Sequence, residues 1–193
     1  MKYGKKYLVI TITVIFLIIP IFFGIYIDFL IVSELSLEVV LFLIIGFVIL
    51  LGLGKIMEKV MHNERSKELM EQHDVVKALL NGKDIDVLVL FFPLTMIMEE
   101  LIFRYYLVGV LVYQLNVGSI LAITISSIVF SVYHFHIWFS FKDLRILSSY
   151  LISSFLLGIY NAYVLLTIGI FPCIIIHTAL VYILYYNLYK KLS

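Results

Sequence analysis

Residues 87–112 read VLVLFFPLTMIMEELIFRYYLVGVLV, an apolar stretch whose only charges are Glu99, Glu100 and Arg104. A helix of about 20 apolar residues crosses roughly 30 Å of hydrocarbon, so this segment is long enough to span a bilayer. Charges placed there each cost several kcal/mol, from about 2.5 upward, which makes an intramembrane carboxylate pair and guanidinium functional candidates.

Outward from this stretch, hydropathy predicts further spans near 7–30, 37–54, 118–139, 146–167 and 169–188, about six in all. The fold class expected is therefore all-α, a polytopic transmembrane helical bundle forming a single membrane domain over 1–193. Within it, 1–54 hold two N-terminal spans. Residues 55–86 form a cytoplasmic, interfacial connection marked by Leu69, Val76, Leu79 and Leu80, and 87–189 form a four-helix core that carries the motifs. Composition agrees: 63% of the 193 residues are hydrophobic and 14% charged, with a mean hydropathy of +1.11. That leaves too little polar surface to cover a soluble core. The chain reads as an integral, multi-pass membrane protein partnered by the lipid bilayer, in the cell membrane if its source is prokaryotic. A net charge of +1 with scattered basic residues argues against a nucleic-acid partner. Cys173 is the only cysteine, so no intrachain disulfide can form.

Lys and Arg set the orientation. Lys2, Lys5 and Lys6 precede the first span; Lys55, Lys59, Arg65, Lys67, Lys77 and Lys83 lie between the second and third. Lys142 and Arg145 separate the fourth and fifth, and Lys190 and Lys191 end the chain. With six spans all of these fall on one side, which puts both termini in the cytoplasm. The first span is too long for a signal-peptide core and lacks a small-residue cleavage site, so it is expected to be retained. Asp28, Glu34 and Glu38 fall in or beside the opposite loop and are expected to be solvated. The one basic residue outside this scheme is Arg104.

Helical spacing separates the two glutamates. Glu100 and Arg104 are four apart and share a face as an ion pair, whereas Glu99 lies about 140° from Arg104 and has no local partner. An unpaired carboxylate suits a general base; a purely structural charge cluster that locks helices together remains the rival reading. Two other spans carry histidines, His134 in Phe130-Ser131-Val132-Tyr133-His134 and His177 five residues after Pro172. A lone membrane histidine is usually a packed helix contact, but two of them on helices other than that of the glutamates point to a shared site. His136, two residues from His134, is expected on the opposite side of the helix as a bystander. Counting along straight helices sets Glu99 near mid-membrane, His177 outward of it and His134 nearer the cytoplasm.

Taken in order, Glu99-Glu100-x-x-x-Arg104, Phe130-x-x-x-His134 and His177 resemble the CPBP family of intramembrane glutamic endopeptidases. This group includes type II CAAX prenyl proteases and Abi-like bacteriocin-processing and immunity proteins, and the resemblance covers roughly residues 94–182. It implies a metal-independent endopeptidase without a cofactor, acting on a membrane-associated peptide or protein, prenylated or not. By the same resemblance Glu99 is the general base that activates water, His134 holds and polarises that water, and His177 stabilises the oxyanion. Glu100, Arg104 and Phe130 support the site. One position departs: the family's usual Asn, four residues after the last histidine, is Val181 here. Either another group supplies that donor, with Asn161 ahead of Tyr182 as a sequence candidate, or catalysis is weak. Two alternatives stay open, a non-catalytic immunity-like or partner-binding membrane protein and, less favoured, a zinc-dependent membrane protease, for which no His-Glu-x-x-His pair is present.

Overall fold

The computed structural model describes residues 4–30, 36–61 and 63–192; Lys2 and Glu34 lie outside them. All regular elements among the described residues are helical. In chain order they are α1 (Gly4–Phe22), a short turn (Ile27–Phe29), α2 (Leu37–Met61), α3 (Glu64–Met70) and α4 (Asp74–Asn81). A continuous helical run over residues 87–114 follows, in which α5 (Phe92–Glu100) and α6 (Leu107–Gly109) alternate with wide π turns at Val87–Phe91, Leu101–Tyr106 and Val110–Gln114. The chain ends with α7 (Ser119–Tyr133), α8 (His136–Phe141), α9 (Leu144–Ile168) and α10 (Ile170–Leu192).

Among the described residues, five helical stretches are long and apolar enough to cross a membrane: Gly4–Phe22, Leu37–Lys59, Ser119–Phe141, Leu144–Ile168 and Ile170–Leu192. The remaining predicted span is the 87–114 run, whose π turns interrupt the regular α-helical ladder on both sides of Glu99 and Glu100. Such turns recur at functional sites because they re-aim the side chains beside them. The apolar residues exposed along α2, including Ile44, Ile45, Val48 and Ile49, form the kind of surface lipid covers. The protein is an integral, multi-pass membrane protein.

Three predicted spans change: the second, expected to end at residue 54, runs on as α2 to Met61. The first span was expected to run to residue 30, but α1 stops at Phe22. Gly24 (φ 82) and Tyr26 (φ 56) are left-handed and turn the chain away. The fourth span is not one straight helix. At His134 and Phe135 the backbone N–H groups bond back three residues, to Ser131 and Val132, and α8 leaves from there.

Local chemistry explains the other ends. Asp143 Oδ1 accepts hydrogen bonds from the backbone of Arg145 (2.9 Å) and Ile146 (3.0 Å), capping α9. Asn63 Oδ1 does the same for α3 through the Ser66 N–H (2.9 Å). The chain segments that carry most of the basic residues gather at one end of the bundle. There Lys6 pairs with Asp74 (2.6 Å), Lys191 with Glu58 (2.8 Å), and Ser66 Oγ reaches Asp143 (3.3 Å). Asp28 and Glu38 are exposed.

The main core lies where α7 and α9 pack on each other and on the 87–114 run, around Phe103, Tyr105, Phe130, Leu157 and Leu165. Gly158 lets α9 approach α7 closely: a Cβ there would stand 2.9 Å from Ser127 Cα, backbone that cannot swing aside. Gly158→Val should therefore push α7 from α9 and lower stability by about 1–3 kcal/mol, the usual range for overpacking. The readout is the thermal unfolding midpoint in detergent, and a midpoint at or above wild type would show that the two helices are not pinned here.

Candidate active site

Glu99 and Glu100 are the last two residues of α5, and consecutive helical residues point about 100° apart. The structure uses that divergence. Glu99 faces a cavity of about 630 Å³ that is also lined from α1, α4, α9 and α10, whereas Glu100 does not line it. Glu100 is 0% exposed and is held from two sides. Its Oε1 accepts the Nδ1–H of His177 at 2.7 Å, and its Oε2 stands 3.4 Å from Arg104 Nε.

Arg104 is likewise 0% exposed, and its guanidinium lies 3.9 Å over the ring of Phe130. The ring's negative face attracts the cation where water cannot. Phe130 also meets both histidines edge-on, His134 at 4.8 Å and His177 at 5.7 Å between ring centroids. One aromatic ring thus holds the guanidinium and both imidazoles at fixed separations, which accounts for Phe130 four residues before His134.

The ring nitrogens have different duties. His134 Nδ1 is 2.9 Å from the Phe130 carbonyl, which can only accept, so Nδ1 carries the proton. In the neutral ring that leaves Nε2 as an acceptor, and His134 lines the cavity. His177 has given Nδ1 to Glu100, and its Nε2 stands 3.8 Å from Glu99 Oε2. This is too long for a hydrogen bond, and Glu99 Oε2 has no hydrogen-bonding partner among the described residues. Glu99, Phe130, His134 and His177 therefore share one cavity, despite the unequal depths counted along straight helices. His177 sits between the two glutamates, a bridging position that spacing along the chain does not reveal.

Several expected placements change. His136 is not across a helix from His134: because the helix breaks between them, their rings lie 6.0 Å apart and both line the cavity. Neither Asn161 nor Tyr182, the sequence candidates for the donor absent at Val181, lines the cavity. Asn161 is fully buried and gives its amide N–H to the Cys173 carbonyl at 3.1 Å. Tyr182 faces outward against Tyr186. The sequence reading missed Tyr150 and Tyr185, which line the cavity and share a 2.7 Å hydrogen bond. Among the described residues, no group of three or more His, Cys, Asp or Glu side chains is arranged to hold a metal ion.

A family model described as type II CAAX prenyl endopeptidase Rce1-like matches residues 82–183, more than half of the chain. The chain belongs to the Rce1-like family. No curated protein and no solved structure matches it. Rce1-like membership places it among membrane-embedded proteases, hydrolases that act on a peptide. The Rce1-like match contains Glu99, Glu100, Arg104, Phe130, His134 and His177, and leaves out α1 to α4.

Proposed function

We propose that this protein hydrolyses a peptide bond of a membrane-associated substrate, using water activated by Glu99. The observation that carries this reading is the separation of the glutamates: one carboxylate faces the cavity with no hydrogen bond at Oε2, and its neighbour is buried against Arg104 and His177. A water between Glu99 and His134 donates one hydrogen to the carboxylate and the other to His134 Nε2, which turns its lone pair toward the substrate. The water oxygen bonds to the carbonyl carbon, the C=O π pair moves onto oxygen, and the proton passes to Glu99. When the tetrahedral intermediate collapses, the C–N bond breaks and Glu99 returns that proton to the leaving nitrogen. Glu100, Arg104 and Phe130 do not touch the reacting atoms. They fix the His177 ring, and through it the distance to Glu99.

The cavity walls favour a lipidated peptide. Ile10, Met96, Leu157 and Leu180 line it beside the polar groups, so an apolar chain and a peptide bond fit the same space. The test is cleavage of a fluorogenic farnesylated CAAX peptide by the protein in liposomes, against the same peptide without the farnesyl group. Release of the C-terminal fragment from the farnesylated peptide, unaffected by 1,10-phenanthroline, is expected. Full inhibition by the chelator with recovery on adding zinc would replace the glutamate mechanism with a metal one.

A further inference from the structure

The side chains assigned above to the attacking water offer it acceptors and no free donor. Glu99 and His134 Nε2 can only accept in the attacking state, and His177, a neutral ring whose Nδ1–H is committed to Glu100, presents its Nε2 as a further acceptor. The N–H groups of Arg104 are buried away from the cavity, and Val181, which lines it, has none in its side chain. An oxyanion forming here needs a preorganised donor.

A chain of three side chains from separate elements ends at such a group. His73 begins it at the N-terminus of α4, where its Nδ1 accepts the Val75 N–H at 3.4 Å. Nδ1 is therefore unprotonated, and the single proton of the neutral ring sits on Nε2. Burial pushes the His73 pKa down to about 4, with smaller contributions from Asp74, which opposes, and from Lys6 and His136, which add to it. The ring is neutral at physiological pH. Nε2–H then donates to the Tyr185 hydroxyl at 3.0 Å, and the ring of Tyr185 stacks on His73 at 4.6 Å. Having accepted from His73, Tyr185 is free to donate to the Tyr150 oxygen across the 2.7 Å contact. Tyr150 is left with its own hydrogen unspent. Its ring lies 6.0 Å from that of His134, on the same cavity.

We propose that Tyr150 donates this hydrogen bond to the substrate carbonyl oxygen as negative charge develops on it, and that Tyr185 and His73 are positioning residues that hold the hydroxyl in its donating orientation. The inference rests on the hydrolase reading above. No proton is transferred; the hydroxyl strengthens an existing hydrogen bond as the carbonyl becomes an oxyanion.

The test measures kcat and KM in liposomes with the fluorogenic farnesylated CAAX peptide, for wild type, Glu99→Gln, Tyr150→Phe, Tyr185→Phe and Tyr133→Phe. Thermal unfolding of each variant is followed in parallel. Tyr150→Phe should lower kcat on the order of 100-fold, the loss typical of one oxyanion donor, with KM nearly unchanged. Tyr185→Phe should lower kcat by a smaller factor, again without a matching change in KM, because the donor remains but its direction is freed. A wild-type kcat in a folded Tyr150→Phe variant, with Glu99→Gln inactive, overturns this inference and spares the protease reading. A large loss confined to Tyr133→Phe, another cavity tyrosine, overturns it by moving the role to that residue. If wild type does not cleave, or Glu99→Gln cleaves equally well, the hydrolase reading fails and the donor assignment falls with it. Should Tyr150→Phe unfold early, the Tyr185→Phe kcat decides alone, and an unchanged value overturns the proposal.

Discussion

Glu99→Gln should abolish peptide hydrolysis while leaving the protein folded. The substitution keeps the side chain's length and shape but removes its ability to take a proton from water, and a positioned general base is worth roughly 100- to 10,000-fold in rate. Structural damage should be small. Glu99 Oε2 has no hydrogen-bonding partner among the described residues, and the His177 ring reaches it only at 3.8 Å, through Nε2. The loss should therefore appear in kcat, with the unfolding midpoint near that of wild type, or above it because a buried carboxylate has been made neutral. Glu99→Asp withdraws the carboxylate by one methylene and should fall between the two. Wild-type turnover in Glu99→Gln would return the triplet to a structural charge cluster, the rival that the sequence left open.

Much of this site was legible before any coordinates because it depends on short-range geometry. Consecutive helical residues diverge and residues four apart converge, so the pairing of Glu100 with Arg104 and the isolation of Glu99 follow from spacing. Both survive even though the turn after Glu100 is wide. The family assignment was legible for the same reason, since its motifs are local. What remained hidden depends on breaks and on long-range contact. Residues 118–139 contain no internal proline or glycine to announce a break, yet the helix ends at Tyr133 and brings His136 beside His134. The end of α1 was half legible: Gly24 is a turn signal, but the left-handed Tyr26 is not one. His73, Tyr150 and Tyr185 come from three separate elements. Nothing in the spacing of three such residues joins them, and only the packing of α4 against α10 and of α10 against α9 does.

Arg104→Met should destabilise the protein strongly, by about 3–5 kcal/mol. Removing the guanidinium leaves Glu100 fully buried with only neutral polar help, from His177 and the Asn161 side chain, and uncovers one face of Phe130. Lysine at 104 should rescue little, because an ammonium cannot spread over the ring as a planar guanidinium does. The comparison that separates charge from packing is the double variant Glu100→Gln with Arg104→Met. Glutamine keeps a carbonyl oxygen to accept the Nδ1–H of His177, so the double change removes both buried charges while retaining that hydrogen bond. Its stability should lie well above that of Arg104→Met alone, with a coupling on the order of 1–3 kcal/mol in a double-mutant cycle. Additive losses would mean that Arg104 acts by filling space against Phe130, and not by neutralising Glu100. The distinction bears on the proposed catalysis, since a net charge stranded at Glu100 would act directly on His177, and through it on the Glu99 carboxylate 3.8 Å away to which we assign the general-base role.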